Sequence, residues 1–322
     1  MRKLVLACVA MLGLSAGIAY GQAQAPARFP DQPVRILVPF SAGSVTDLLA
    51  RTISDKLSER WGQPVIVENR PGIAGTGVAA KSAPDGHNLM LTSNGHTIIG
   101  ALNKDLTIDP IKDFSGVIQV ASVPVVLVVP PPLPVKDLKE LIGLAKEKPG
   151  SLNFTSAGLA SSNYIAGEMF KQSAKINIVH IPYKGTPETL TSLMRGEAQI
   201  TLAFLSTAQG QIQAGQLKAL AIAAPKRSAI VPDVPTFAEA GMPEFQYDAW
   251  FGLMAPAKTP AAIIKKINND IAAIVQTPDA QKRWETLGAT PVVSTPDQFD
   301  ATIRSDADRY GKVLKAAGVN PN

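Results

Sequence analysis

The 322-residue chain reads as an α/β protein of two units, with mostly parallel sheets, helices on both faces of each sheet, and a cleft between the units. Three observations carry that reading. Short apolar runs alternate with segments of helical period along most of the chain. The connections between them are brief, as right-handed strand–helix–strand crossovers require. A Val-rich run then ends in three successive prolines, the mark of a strand that leaves one unit for another.

Taken in order, "VRILVPF" (34–40) is a buried strand, and Val45, Leu48, Leu49, Ile53, Leu57 and Trp61 follow at helical spacing. Ser44 is placed to cap that helix, with Asp47 as its capping-box partner and Gly62 as its stop. "VIVENR" is a second strand, "PGIAGTG" a glycine-rich loop, "VAAKSA" a short helix and "LMLTSN" a third strand. "ASVPVVLVVPPPLP" crosses to the second unit. There "VKDLKELIGLAKEKPG" sets Leu138, Leu141, Ile142 and Ala145 on one helical face. Strand and helix patterns alternate from "SLNFTSAG" through "SSNYIAGEMFKQSA", "INIVHIPYKG", "TPETLTSLMRGE", "AQITLAFL" and "STAQGQIQAGQ" to "LKALAIAA". After a proline-rich surface stretch, "AWFGLMAPAKTP" crosses back. A helix striped by Ile263, Ile264, Ile267, Ile271 and Ile274 and a last helix over 296–317 complete the first unit. The division expected is residues 27–124 plus 250–322 for the first domain and 125–249 for the second.

Residues 1–23 have the form of a secretory signal peptide. Arg2 and Lys3 precede an apolar stretch, and Gly21-Gln22-Ala23 or Ala23-Gln24-Ala25 offers small residues for cleavage. That stretch is shorter than the ~20 residues that span a bilayer. Removal of the signal takes two of 31 basic and none of 26 acidic residues, so a formal +5 becomes +3. Cys8, the only cysteine, goes with it, so the mature chain expected in the periplasm has neither disulfide nor thiolate chemistry. Basic residues are scattered, without the aromatic-interleaved stripe of a nucleic-acid binder.

Catalytic patterns are thin. GxSxG, HExxH and GxxxxGK[ST] are all missing, and His87, His96 and His180 share no metal-ligand spacing, so neither metal nor cofactor is expected. His180, within a strand, reads as a structural histidine. Two loops carry more meaning. "SAGSVTD" and "TSAGLASSN" each follow a strand and open a helix, one on each unit. Small residues let backbone amides approach a ligand, and helix N-termini at strand carboxyl ends favour an anion. Ser41, Ser44, Thr46, Thr155, Ser156, Ser161 and Ser162 add hydroxyls, while Tyr183 and Lys184, just past a strand end, read either as facing the same cleft or as a plain turn.

These stretches together resemble the extracytoplasmic receptors of tripartite tricarboxylate transporters, the Bug receptors. The resemblance rests on "FPDQPVRILVPFSAGSVTDLLAR", "LSERWGQPVIVENRPGIAGTG", "KSAPDGHNLML", "IKDFSGV", "ELIGLAKEKPGSLNFTSAG", "AGEMF", "IPYKGTPETLTSLMRGE", "GQLKALAIAAPKRSAIVPDVPTFAEAG" and "WFGLMAPAKTP", in that order. It implies a two-domain, type II-like periplasmic binding protein, monomeric and non-enzymatic, closing like a clamshell on a small organic acid. Mono-, di- and tricarboxylates, acidic amino acids and aromatic carboxylates are implied, with membrane permease subunits as partners. A carboxylate would be held, partly through water, by Phe40, Ser41, Ala42, Gly43 and Thr46 from one loop and Thr155, Ser156, Gly158, Ser161 and Ser162 from the other. Three positions depart from the family pattern: Ser44 for glycine, Tyr164 for histidine and Leu205 for aspartate. Leu205 implies an apolar pocket end and no amino group on the ligand. A ligand-sensing receptor and an α/β hydrolase or isomerase are the alternatives.

Overall fold

The computed structural model describes residues 29–159, 161–316, 318 and 319. The signal-peptide reading lies outside them. β1 (Val34–Val38) is followed by α1 (Val45–Trp61), β2 (Val65–Asn69), α2 (Ile73–Ala80) and β3 (Asn88–Ser93). A 3₁₀ turn at Asn94–Ile98 runs into α3 (Ile99–Leu102), and β4 (Phe114–Val123) follows. Pro124 separates β4 from β5 (Val125–Val129), where the second sheet begins. α4 (Leu138–Glu147), β6 (Asn153–Ser156), α5 (Ser162–Ala174), β7 (Val179–Pro182), α6 (Thr186–Met194), β8 (Ile200–Phe204), α7 (Leu205–Gln213) and β9 (Lys218–Ala223) come next. The chain returns through β10 (Ala249–Pro256) and ends in α8 (Ala261–Val275), α9 (Pro278–Thr286), β11 (Thr290–Pro291) and α10 (Pro296–Ala316).

Strand order is β11-β4-β10-β3-β1-β2 in one sheet and β7-β6-β8-β5-β9 in the other. Both sheets are mixed, which corrects the expectation of mostly parallel ones. Parallel pairing is confined to β2-β1-β3 and β7-β6-β8, the strands joined through helices. β5 runs antiparallel to β8 and β9, and β10 runs antiparallel to β3 and β4. These are the crossing strands. They enter their sheets directly from the other unit, so no helical crossover sets their direction.

β5 is fully buried at every residue, which explains its unbroken run of Val and Leu. Val125, Leu127 and Val129 face the large core, while Val126 and Val128 face a second cluster with Leu190, Leu193 and Leu205. This two-residue alternation puts a hydrophobic layer on each face of the sheet.

"PGIAGTG" is a loop only at Pro71 and Gly72. α2 starts at Ile73, and Gly75 within it serves packing: a Cβ there would lie 2.0 Å from the Arg70 carbonyl oxygen. α9 and β11, which carry little periodic signal, were not legible as separate elements.

Gly252, in the centre of β10, faces Phe299 of α10 so closely that a Cβ would lie 2.1 Å from the ring. Phe299 is itself fully buried among Trp250, Met254 and Ile303, so it has no room to retreat. Gly252→Ala is expected to destabilise the protein by about 2–3 kcal/mol, the scale of overpacking in a tight core. A urea midpoint equal to that of the parent would refute this.

Candidate functional site

The loop after β1 is built around Asp47. Ser44 caps α1, its Oγ accepting from the Asp47 amide at 3.2 Å. The Asp47 carboxylate completes no capping box. It accepts instead from the Gly43 amide (2.9 Å), Asn69 Nδ2 (3.0 Å) and Arg51 Nε (3.0 Å). Burial pushes its pKa up, but these bonds from Arg51, Gly43 and Asn69 prevail and hold it below the usual carboxylate range. The Ser44 amide donates to the Ser41 carbonyl. The amides of Val45 and Thr46, in the first turn of α1, are left without an intrahelical acceptor.

The second loop is tied just as tightly. Ser161 caps α5 by accepting from the Tyr164 amide, and its own hydroxyl donates to the Gly158 carbonyl at 2.6 Å. Ser156 Oγ donates to the same carbonyl at 3.1 Å, so it accepts from His180 Nε2 at 2.8 Å. Ser162 Oγ donates to Asn94 Oδ1 across the two units. Asn94 Nδ2 donates to Tyr247 Oη (3.0 Å) and the Asp248 carbonyl (3.2 Å), and Tyr247 Oη donates to the Ser162 carbonyl (2.6 Å). Three serine hydroxyls expected to meet a ligand are therefore internal ties. What remains open at α5 is its first amides, those of Ser162 and Asn163. α6 adds a third helix start, where Gly185 supplies no side-chain cap and Thr186 opens the helix.

These three N-termini meet around an inner chamber of about 20 Å³, lined among others by Ser44, Thr46, Ser93, Ser162, Asn163 and Thr186. Each N-terminus carries a partial positive charge. Beyond Phe40 and Ala157, which border both spaces, an outer chamber of about 420 Å³ is walled by Ile73, Ile99, Leu102, Leu159 and Tyr183. Among the described residues no aspartate or glutamate lines either chamber, and Lys184 is the only lysine or arginine that does.

The expected residues divide by position. Phe40 borders both chambers; Thr46, Ser161 and Ser162 line the inner one; Gly158 and Tyr183 line the outer one. Ala42 and Gly43 are exposed, and Ser41 reaches across to the Lys184 carbonyl at 3.4 Å. Thr155 and Ser156 are fully buried beneath their loop. Leu205 lines neither chamber. It opens α7 and packs into the core with Val126 and Ala208, because an apolar side chain at that helix start gains more from burial than from facing a polar cleft. Sequence reasoning missed Ser93, Asn94 and Thr186. Gly185-Thr186-Pro187 was the available signal for Thr186, since proline near a helix start marks its first turn.

Two histidines are held neutral by their surroundings. Burial lowers the His96 pKa to about 4, against the opposing bond from Nε2 to the Pro110 carbonyl at 2.6 Å. Burial, then the charge of Lys171, lowers that of His180 to about 4. Above pH ~6.5 both are neutral in folded and unfolded chains alike. As pH falls from ~6.5 to 4, the unfolded chain takes up protons that the folded one refuses, so their contribution to stability is lost across that window. Burial raises the pKa values of Asp248 and Asp306, which works in the opposite sense. The histidine effect is therefore read by difference. His180→Gln is expected to show a smaller fall in urea midpoint between pH 6.5 and 4 than the parent, and equal falls would refute this.

Among the described residues no group of three His, Cys, Asp or Glu side chains could hold a metal ion. No described helix is long and apolar enough to cross a membrane.

Comparison with known proteins identifies relatives in sequence and in fold. Residues 49–319 match the family model described as the tripartite tricarboxylate transporter family receptor. The protein BugT of Bordetella pertussis is 34% identical over 323 residues, covering 98% of each chain. The structure of Rpa4515 of R. palustris with adipate aligns with TM-score 0.84 and 32% identity, over 91% of this chain and 100% of that one. That of MatC from Rhodopseudomonas palustris with bound malate aligns with TM-score 0.82 and 33% identity, over 89% and 100%. Matched over most of its length in sequence and in fold, the chain belongs to the tripartite tricarboxylate transporter receptor family.

Proposed function

We propose that the chain is a periplasmic receptor. It would grip one carboxylate of a small organic acid in the inner chamber and pass the acid to the permease subunits of a tripartite tricarboxylate-type transporter. Residues 27–124 plus 250–322 form one lobe and 125–249 the other, and the lobes close over the ligand. The observation that carries this reading is the meeting of three helix starts, from both lobes, on one small chamber that no lysine or arginine lines. Backbone amides and the Thr46 and Thr186 hydroxyls suit a carboxylate. The adipate and malate held by Rpa4515 and MatC are of that class.

The two lobes contribute amides from opposite sides, so a bound anion favours closure and release requires reopening. Neither chamber offers an acid to a ligand amine, which disfavours amino acids on a ground independent of Leu205. Among the described residues no nucleophile–base pair lines the chambers, and binding without turnover is the expected activity. Native mass spectrometry of the purified protein, followed by thermal shifts with a carboxylate panel, tests this. A carried-over or added acid recovered unchanged supports the reading. Stabilisation by an amino acid alone, or chemical conversion of the acid, would sink it.

A further inference from the structure

Thr76 of α2 and Thr92 of β3 lie on the floor of the outer chamber, each only 1% exposed. Neither hydroxyl bonds to another described residue. The helical threonines Thr52, Thr191, Thr286 and Thr302 all donate to the carbonyl four residues back. Thr76 has the Gly72 carbonyl in that position and does not use it. A hydroxyl on a chamber wall that spends no bond on the protein is available to a ligand group, and one such bond strengthens binding.

The charge around this floor is what decides which group that is. His96 stands beside it, fixed by its bond to the Pro110 carbonyl and kept neutral by burial, so it brings no positive charge. Lys184 is exposed at the rim, and the first residues of α2, Pro71 to Ala74, are exposed as well. A second carboxylate at the floor would be desolvated without a counter-charge.

We infer that Thr76 and Thr92 form a second subsite for an uncharged hydrogen-bonding group. Its preferred ligand is then a monocarboxylate with an apolar body and a hydroxyl or carbonyl at its far end. The inference rests on the carboxylate reading of the inner chamber and narrows it. Ile99, Leu102 and Leu159 take the apolar body, and the threonines select its terminus.

Two matched series test this, each varying only the far end: hexanoate, 6-hydroxyhexanoate and adipate, and benzoate, 4-hydroxybenzoate and terephthalate. Calorimetric titration is expected to show the hydroxylated acid binding about tenfold tighter than both companions in at least one series, the worth of one well-placed hydrogen bond. Replacement of both threonines (Thr76→Val with Thr92→Val) should erase that advantage and leave the unsubstituted acid unchanged. The single variants serve if the double variant melts early. A dicarboxylate tightest in both series, with its advantage lost in Lys184→Ala, would overturn the inference while leaving the carboxylate reading intact. Equal loss for all three acids in the valine variants would also overturn it. No binding by any of the six would overturn the carboxylate reading itself.

Discussion

Thr186→Asp is expected to lower carboxylate affinity by about a thousandfold while leaving the fold intact. Thr186 is the first residue of α6 and lines the inner chamber. An acidic side chain at that place suits the helix dipole, worth about 0.3–1 kcal/mol in favour of the folded state. Toward the ligand the same charge is repulsive. Two unit charges about 4 Å apart, at the effective dielectric constant of ~20 usual in proteins, interact by about 4 kcal/mol, or about three decades in affinity. The chamber holds only about 20 Å³, so the ligand has little room to move away. Titration with the acid that gives the largest thermal shift reads the effect, and Thr186→Asn, uncharged and of similar size, should stay within about tenfold of the parent. An aspartate variant that binds like the parent would remove the inner chamber from the site.

Asn94→Leu is expected to cost about 3–5 kcal/mol of stability and to weaken binding as well. Asn94 is fully buried and joins both lobes through Ser162, Tyr247 and the Asp248 carbonyl. Leucine fills similar space but strands several buried polar groups, each at about 1–3 kcal/mol. For a chain of this size the melting temperature should fall by roughly 5–8 °C. Tyr247→Phe, which removes the bond to the Ser162 carbonyl and the acceptor of one Asn94 Nδ2 proton but leaves Asn94 tied to Ser162 and the Asp248 carbonyl, should cost about half as much. Binding is affected because the same bonds fix the start of α5, whose amides face the inner chamber. A leucine variant that melts within 2 °C of the parent would show that Asn94 bears no such role.

Much of this was legible in the chain because it is local. Ser44 and Ser161 cap their helices as small hydroxyl residues before a helical pattern should, and Gly62 ends α1 in the left-handed conformation. The two loops proposed to hold the ligand stand out in the sequence for the same reason. What could not be read was which hydroxyls remain free. Ser162 is spent on Asn94, 68 residues away, and Ser156 on His180, 24 away; only the fold brings these partners together. Thr186 reads as an ordinary helix start until two other helices are placed against it. The direction of β5 and β10 was hidden likewise, since strand pairing across a unit boundary leaves no mark on either strand alone.

The place of β10 bears on how the protein is made. It lies between β3 and β4 in its sheet, yet it follows every strand of the other sheet in the chain. A nascent chain extended to residue 223 has all five strands of the second lobe. It has β1 to β4 of the first lobe as well, but nothing to join β4 to β3. The last lobe to be completed is therefore the one whose synthesis began first: β1, β2 and β3 can pair with one another, but β4 and the open edge of β3 wait for a keystone made some 125 residues later than β4. Such non-local closure slows folding and lengthens exposure to aggregation.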